Sequence, residues 1–149
     1  TEAEIAGRKG SALDHSTIVS AASRDTIQFG FHNYDSLPDL YHNHDIFVFP
    51  SVNETFGPPM AEAMSAGIPI IAADTPINRE ICANAALYFT PYSHQDLARR
   101  IRTLATDAGL RARLISAGRR RVATKFRWDV HCDRLVVVFE AAIADRVRS

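Results

Sequence analysis

Residues 44–74 read HDIFVFPSVNETFGPPMAEAMSAGIPIIAAD, and this stretch decides the fold. Ile46-Phe47-Val48-Phe49 is an unbroken apolar run closed by Pro50, the pattern of a strand buried on both faces. Ser51 to Gly57 is polar and contains glycine, so it reads as a loop at the carboxyl end of that strand. Pro58 and Pro59 suit a helix start, where a missing N–H costs nothing. Ala61, Ala63, Met64 and Ala66 continue the helix, and Gly67 ends it. Ile68 to Ala73 is the next strand. Strand, crossover helix and strand of this size predict a right-handed βαβ unit with parallel strands.

In such sheets ligands bind beyond the carboxyl ends of the strands. That edge carries Ser51, Asn53, Glu54, Phe56 and Gly57, followed by a helix N-terminus starting at Pro58. Gly57 lets backbone approach a ligand closely. The helix end offers a partial positive charge suited to phosphate. Glu54 sits in the loop and Glu62 about one turn into the helix, so both carboxylates are expected to face one crevice. Beside a phosphate, carboxylates serve to accept hydrogen bonds from sugar hydroxyls.

Elsewhere the pattern alternates strands with helices. Thr26 to Phe31 reads as a short strand, Leu37 to Tyr41 opens a short helix, and Ala86 to Phe89 forms a fourth strand. A short helix is predicted from Asn78 to Ala83. Ser93-His-Gln-Asp96 is a capping-box-like start for a helix striped by Leu97, Ile101 and Leu104. Another helix begins at Asp107 with Leu110, Leu114 and Ala117, interrupted by Gly118. The last, Trp128 to Val147, repeats Trp128, Cys132, Leu135, Phe139 and Ala142 or Ile143 at helical spacing. On that stripe Cys132 reads as a core thiol and Trp128 as a packing anchor. Thr1 to Asp25 carries little pattern beyond apolar positions at Ala12, Ile18, Val19 and Ala22. Gly7-Arg-Lys-Gly10 lacks the preceding strand that a phosphate loop needs.

The length suits one domain, residues 1–149, with 1–25 as a poorly assigned N-terminal segment. A formal net charge of zero gives no whole-chain attraction to nucleic acid or membrane. Cys82 and Cys132 have no CxxC spacing, which points to a reducing compartment without a structural metal. His42 and His44, two apart, do not share a helical face, so no metal pair is expected there. No apolar run approaches the roughly 20 residues of a membrane span, and Thr1-Glu-Ala-Glu4 shows no signal-peptide pattern. A cytoplasmic location is expected. Arg99 to Arg127 is rich in arginine, including Arg119, Arg120 and Arg121. It reads as a solvated helical face or as a peripheral contact with an anionic membrane.

Glu54-Thr-Phe-Gly-Pro-Pro-Met-Ala-Glu62-Ala-Met resembles the Glu, seven residues, Glu signature of retaining group 1 (family four) glycosyltransferases with the two-domain GT-B fold. The likeness continues through Phe49-Pro-Ser51, Gly67-Ile-Pro to Asp74, Arg79-Glu-Ile81, Asn84 to Phe89 and Phe126-Arg-Trp128. It covers residues 27–142. The implied fold is α/β, a Rossmann-like parallel sheet with flanking helices, the incomplete C-terminal half of a GT-B enzyme spanning residues 26–149. The resemblance implies that Glu54 contacts the transferred sugar, that backbone around Phe56, Gly57 and Pro58 lies against sugar and distal phosphate, and that Glu62 binds the ribose diol. It implies glycosyl transfer from a nucleotide-diphosphate sugar with retention, without metal or cofactor. Two departures stand out: Pro58 cannot donate an N–H, and no match to the family's first strands, or to its diphosphate-clamping Arg and Lys, precedes Thr26. The chain therefore reads as part of a larger transferase, lacking the N-terminal acceptor domain and inactive alone. An open sheet edge would favour self-association. The alternatives are a non-catalytic nucleotide-sugar-binding or assembly module, and a GT-B relative such as a sugar-nucleotide epimerase.

Overall fold

A computed structural model describes residues 32–147. The chain divides into two units, Thr1–Leu37 and Pro38–Ser149. In the first, the described residues contain a 3-10 turn at Tyr34–Ser36. The strand expected at Thr26 to Phe31, the Gly7 to Gly10 segment and the apolar positions from Ala12 to Ala22 lie outside the described residues.

The second unit is built on strands β1 (Phe47–Phe49), β2 (Ile70–Ala73) and β3 (Ala86–Phe89). They lie in the order β1-β2-β3, all parallel. Phe47 pairs with Ile70, and Ile70 with Ala86. The helices are α1 (Leu37–His42), α2 (Pro58–Ala66), α3 (Pro76–Cys82), α4 (His94–Thr106), α5 (Ala108–Lys125) and α6 (Trp128–Val147), with a 3-10 turn at Ala83–Ala85 before β3. Burial on both faces was expected of β1. Its residues are half-buried, and complete burial belongs to β2, which has a strand on either side.

Period-two alternation sorts the core into two layers. Ile70 and Ala72 face Met60, Met64, Ile81 and Cys82 from α2 and α3, joined by Phe47, Phe49 and Tyr88. Ile71 and Ala73 face Leu104 and Leu114 from α4 and α5, joined by Val48, Leu87 and Phe89. Fully buried Met60, Met64, Ile70, Ile71 and Leu104 each contribute about 1.5–3 kcal/mol by leaving water. Helix α5 serves both layers, because Ala117 and Val122 belong to the first and Leu110 and Leu114 to the second.

Local signals set the helix ends. Gly67, at φ 80°, closes α2, and both its own amide and that of Ile68 donate to Ala63 O at 3.1 Å. Thr75 and Asp107 cap α3 and α5 through their side chains. Ser93 caps α4 by accepting from the Asp96 amide at 3.2 Å. The expected box is not reciprocal: the Asp96 carboxylate reaches back to Thr90, accepting from its amide at 2.8 Å and its hydroxyl at 3.0 Å. This ties the end of β3 to the start of α4.

Three expectations on the C-terminal helices are corrected. Gly118 does not interrupt α5. It is a buried contact within a continuous helix, where an added Cβ would stand 3.0 Å from Met64 Cγ. A missing side chain at a helix crossing reads like a breaker in sequence. The stripe on α6 is not core: Trp128 is 77% exposed, Phe139 60% and Ile143 64%. Cys132 is likewise exposed, whereas Cys82 is buried with its thiol 3.5 Å from Met60 Sδ. Helical spacing marks an apolar face without saying what covers it. The basic segment also divides. Arg121 donates to Ile81 O at 2.5 Å and to Glu80 O, closing the end of α3. The Arg119 guanidinium covers Gly67 at the negative end of α2. Arg120 donates to Ser116 Oγ at 2.7 Å.

Burial pushes the Cys82 thiol up to about 12, with the nearby Arg121 charge a smaller opposing influence. A disulfide reagent at about pH 8 is therefore expected to label Cys132 in the folded chain and Cys82 only after denaturation. Two thiols reacting together in native buffer would contradict this arrangement.

Candidate donor-binding edge

All three strands point their carboxyl ends the same way, so the segments after Phe49, Ala73 and Phe89 gather at one edge. Asp74 N donates to Phe89 O at 2.8 Å and joins two of them. Asn78, fully buried on α3, joins the others: its Nδ2 donates to Ala73 O at 2.9 Å and to Ser51 O at 3.0 Å. Its Oδ1 has no partner among the described residues. The amide cannot flip to relieve this, because the oxygen would then oppose two carbonyls. Sequence reading missed Asn78. The only signal was a polar residue on an apolar face of a short helix.

From Ser51 the chain passes exposed Asn53 and half-buried Glu54 to Phe56. Among the described residues Glu54 has no hydrogen-bond or ion-pair partner, so its carboxylate can accept bonds from a ligand. The Phe56 ring turns edge-on to Phe126 at 5.6 Å and 82°. Phe126 thus supports the loop from beyond α5, a role its place in sequence did not reveal. Gly57 is left-handed at φ 64° and ψ 63°. The positive φ is what favours glycine at this bend; a Cβ there would also press on the Met60 methyl at 2.7 Å and the Phe49 ring at 3.3 Å, which would have to shift.

Helix α2 starts immediately after this bend. Pro58 and Pro59 carry no N–H, and the Met60 amide donates to Gly57 O at 3.1 Å. Among the described residues the Phe56 and Gly57 amides donate to no backbone carbonyl. A phosphate at this end would meet those two amides and the helix dipole. Half-buried Glu62 follows one turn later, and its Oε2 accepts from the Tyr41 hydroxyl at 2.9 Å. Tyr41, on α1, was not among the expected site residues. The structure thus brings Glu62 to Tyr41 and Phe56 to Phe126, and it places Glu54, Gly57 and Pro58 on the one connection between β1 and α2.

His42 and His44 each donate from Nδ1 to a carbonyl four residues back, Pro38 O and Leu40 O, at 2.6 Å. Among the described residues no three His, Cys, Asp or Glu side chains group as metal ligands, and no helix is long and apolar enough to cross a membrane.

An open parallel sheet layered by helices, with acids around a helix start at its carboxyl edge, is a Rossmann-like α/β architecture of the GT-B kind. HepE of Anabaena, solved with UDP-glucose, shares this fold at TM-score 0.76 and 22% identity, over 85% of this chain and 35% of that one. The chain belongs to the family described as glycosyl transferases group 1, whose model matches residues 5–121. That match begins inside the segment left unassigned by sequence reading and ends before α6. The C-terminal domain of a group 1 glycosyl transferase (LpcC) from Francisella tularensis is similar at 30% identity and TM-score 0.60, over 67% of this chain and 53% of that one. A D-inositol 3-phosphate glycosyltransferase of Salinispora arenicola is 34% identical over 93% of this chain. The chain spans about a third of that relative's length, 32%.

Replacing Asn78 by Leu removes the donor to Ser51 O, while Ala73 O keeps the Thr75 amide at 3.0 Å. The expected cost is about 2 kcal/mol in urea unfolding, on the scale of a buried polar group left unpaired. A variant within about 0.5 kcal/mol of the parent would show that the bridge contributes nothing.

Proposed function

We propose that this edge binds the nucleotide-sugar donor of a retaining glycosyltransferase, as one half of an active site completed by an N-terminal acceptor domain. The observation that carries the reading is the connection from β1 to α2. Along it follow a carboxylate with no partner among the described residues, a glycine bend, and a second carboxylate hydrogen-bonded to Tyr41 around a helix start. Glu54 would accept from hydroxyls of the transferred sugar. The Phe56 and Gly57 amides and the α2 dipole would meet the distal phosphate, with Ser51, Asn53 and Pro58 lining the approach. Glu62 would take the ribose diol. The solved relative HepE, with UDP-glucose bound, supports a uridine donor as the first to try.

The chemistry at such an edge is electrostatic. Donors aimed at the departing diphosphate lower the barrier as negative charge develops there. The acceptor, and the group that directs it to the retained face, would come from the other domain, so this chain alone is expected to transfer no sugar. A cytoplasmic location fits the free thiols. With Arg121 committed to backbone carbonyls, a peripheral contact with an anionic membrane would fall to Arg119 and Arg120. Pairing through an open sheet edge is the proposed route to self-association.

Calorimetric titration with nucleoside diphosphates and their sugar conjugates tests the reading. Glu62→Ala is expected to weaken every ribonucleotide about ten- to a hundred-fold, the value of a hydrogen-bond pair to a charged acceptor. Glu54→Ala is expected to weaken the sugar conjugate while leaving the free diphosphate unchanged. Unaltered affinities in both variants would overturn the assignment.

A further inference from the structure

Tyr41 lies outside the motif, before β1 and separated from Glu62 by 21 positions in sequence. Its hydroxyl has two acceptors in range, Glu62 Oε2 at 2.9 Å and Pro59 O at 3.5 Å. One O–H makes one good bond, and the shorter contact to a charged acceptor takes it. The ring is held independently of that bond. It stands edge-on to Phe47 at 5.7 Å and 65°, and it packs against the first core layer. The hydroxyl is therefore placed by the core rather than by the carboxylate. Burial first, and then the Glu62 carboxylate, raise the Tyr41 pKa, so the group remains a donor.

A carboxylate offers about four lone-pair sites. Tyr41 occupies one on Oε2, which leaves Oε1 and the other site of Oε2. A vicinal diol needs two acceptors in one fixed plane, and an untethered glutamate on a helix surface must give up rotamer freedom to supply them. We infer that Tyr41 is a positioning residue for the donor's ribose, holding the Glu62 carboxylate in its accepting plane before the diol arrives. The inference rests on the donor-binding reading above and adds a residue that the motif does not contain.

Tyr41→Phe keeps the ring and its packing while removing the hydroxyl. The parent chain, Tyr41→Phe and Glu62→Ala are titrated with UDP and GDP, and the tighter is compared with its dideoxy analogue, which lacks both ribose hydroxyls. Thermal unfolding is followed alongside. Tyr41→Phe is expected to weaken the ribonucleotide about five-fold, the scale of one side chain ordered on binding, and to leave the dideoxy analogue unaffected. A merely structural tyrosine would instead lower the melting temperature and weaken both ligands alike. That outcome, or an unchanged ribonucleotide affinity in Tyr41→Phe while Glu62→Ala loses it, overturns the positioning role and leaves the donor site standing. If Glu62→Ala itself binds the ribonucleotide as the parent does, the ribose assignment falls and Tyr41's role falls with it.

Discussion

Complete burial of Ile70 to Ala73 on both faces is the constraint from which the rest follows. A central parallel strand can be buried only if helices cover both sides of its sheet, and each crossover must return the chain to the same starting edge. Every segment leaving a strand therefore opens at the opposite edge. Small Ala72 and Ala86 on one face leave room for the methionines of α2, and Gly118 allows α5 to close over Met64. Asn78 then fastens the segments beyond β1 and β2 with one buried amide. The backbone carbonyls Ser51 O and Ala73 O at that edge are thus held from below.

At that edge, the proposed donor contacts fall in a single connection. Two prolines remove amides that a phosphate-binding helix end would otherwise present, leaving the helix dipole and the amides of the preceding bend. The glycine bend follows from its left-handed backbone angles, with Met60 and Phe49 packed close against it. Phe126, arriving from the far end of α5, braces Phe56. The carboxylates differ in kind: Glu54 has no partner among the described residues, while Glu62 is already oriented by a phenol.

Several features legible as composition proved to be architecture. A run of arginines looked like a surface, yet Arg121 terminates a neighbouring helix and Arg119 lies over another's last turn. A glycine looked like an interruption and is a helix crossing. The thiol on an apolar stripe looked buried, but the buried one is Cys82, under α2. For the arginines and Gly118 the partner sits tens of residues away, beyond the reach of the local pattern, and for Cys132 the expected burial is not found.

What the sequence by itself determined is periodic or punctuated. The apolar runs marked β1, β2 and β3, Pro58 and Gly67 bounded α2, Ser93 and Asp107 capped their helices, and the spacing of Glu54 and Glu62 around Phe56-Gly57 identified the family motif. These are local consequences of backbone sterics and hydrogen bonding. What only the tertiary structure decided is pairing across distance. Tyr41 reaches Glu62, Asn78 reaches Ser51, Phe126 meets Phe56, and the stripe of α6 meets none of the described core. Such contacts depend on how the helices lie across the sheet, and no single stretch of chain contains that angle.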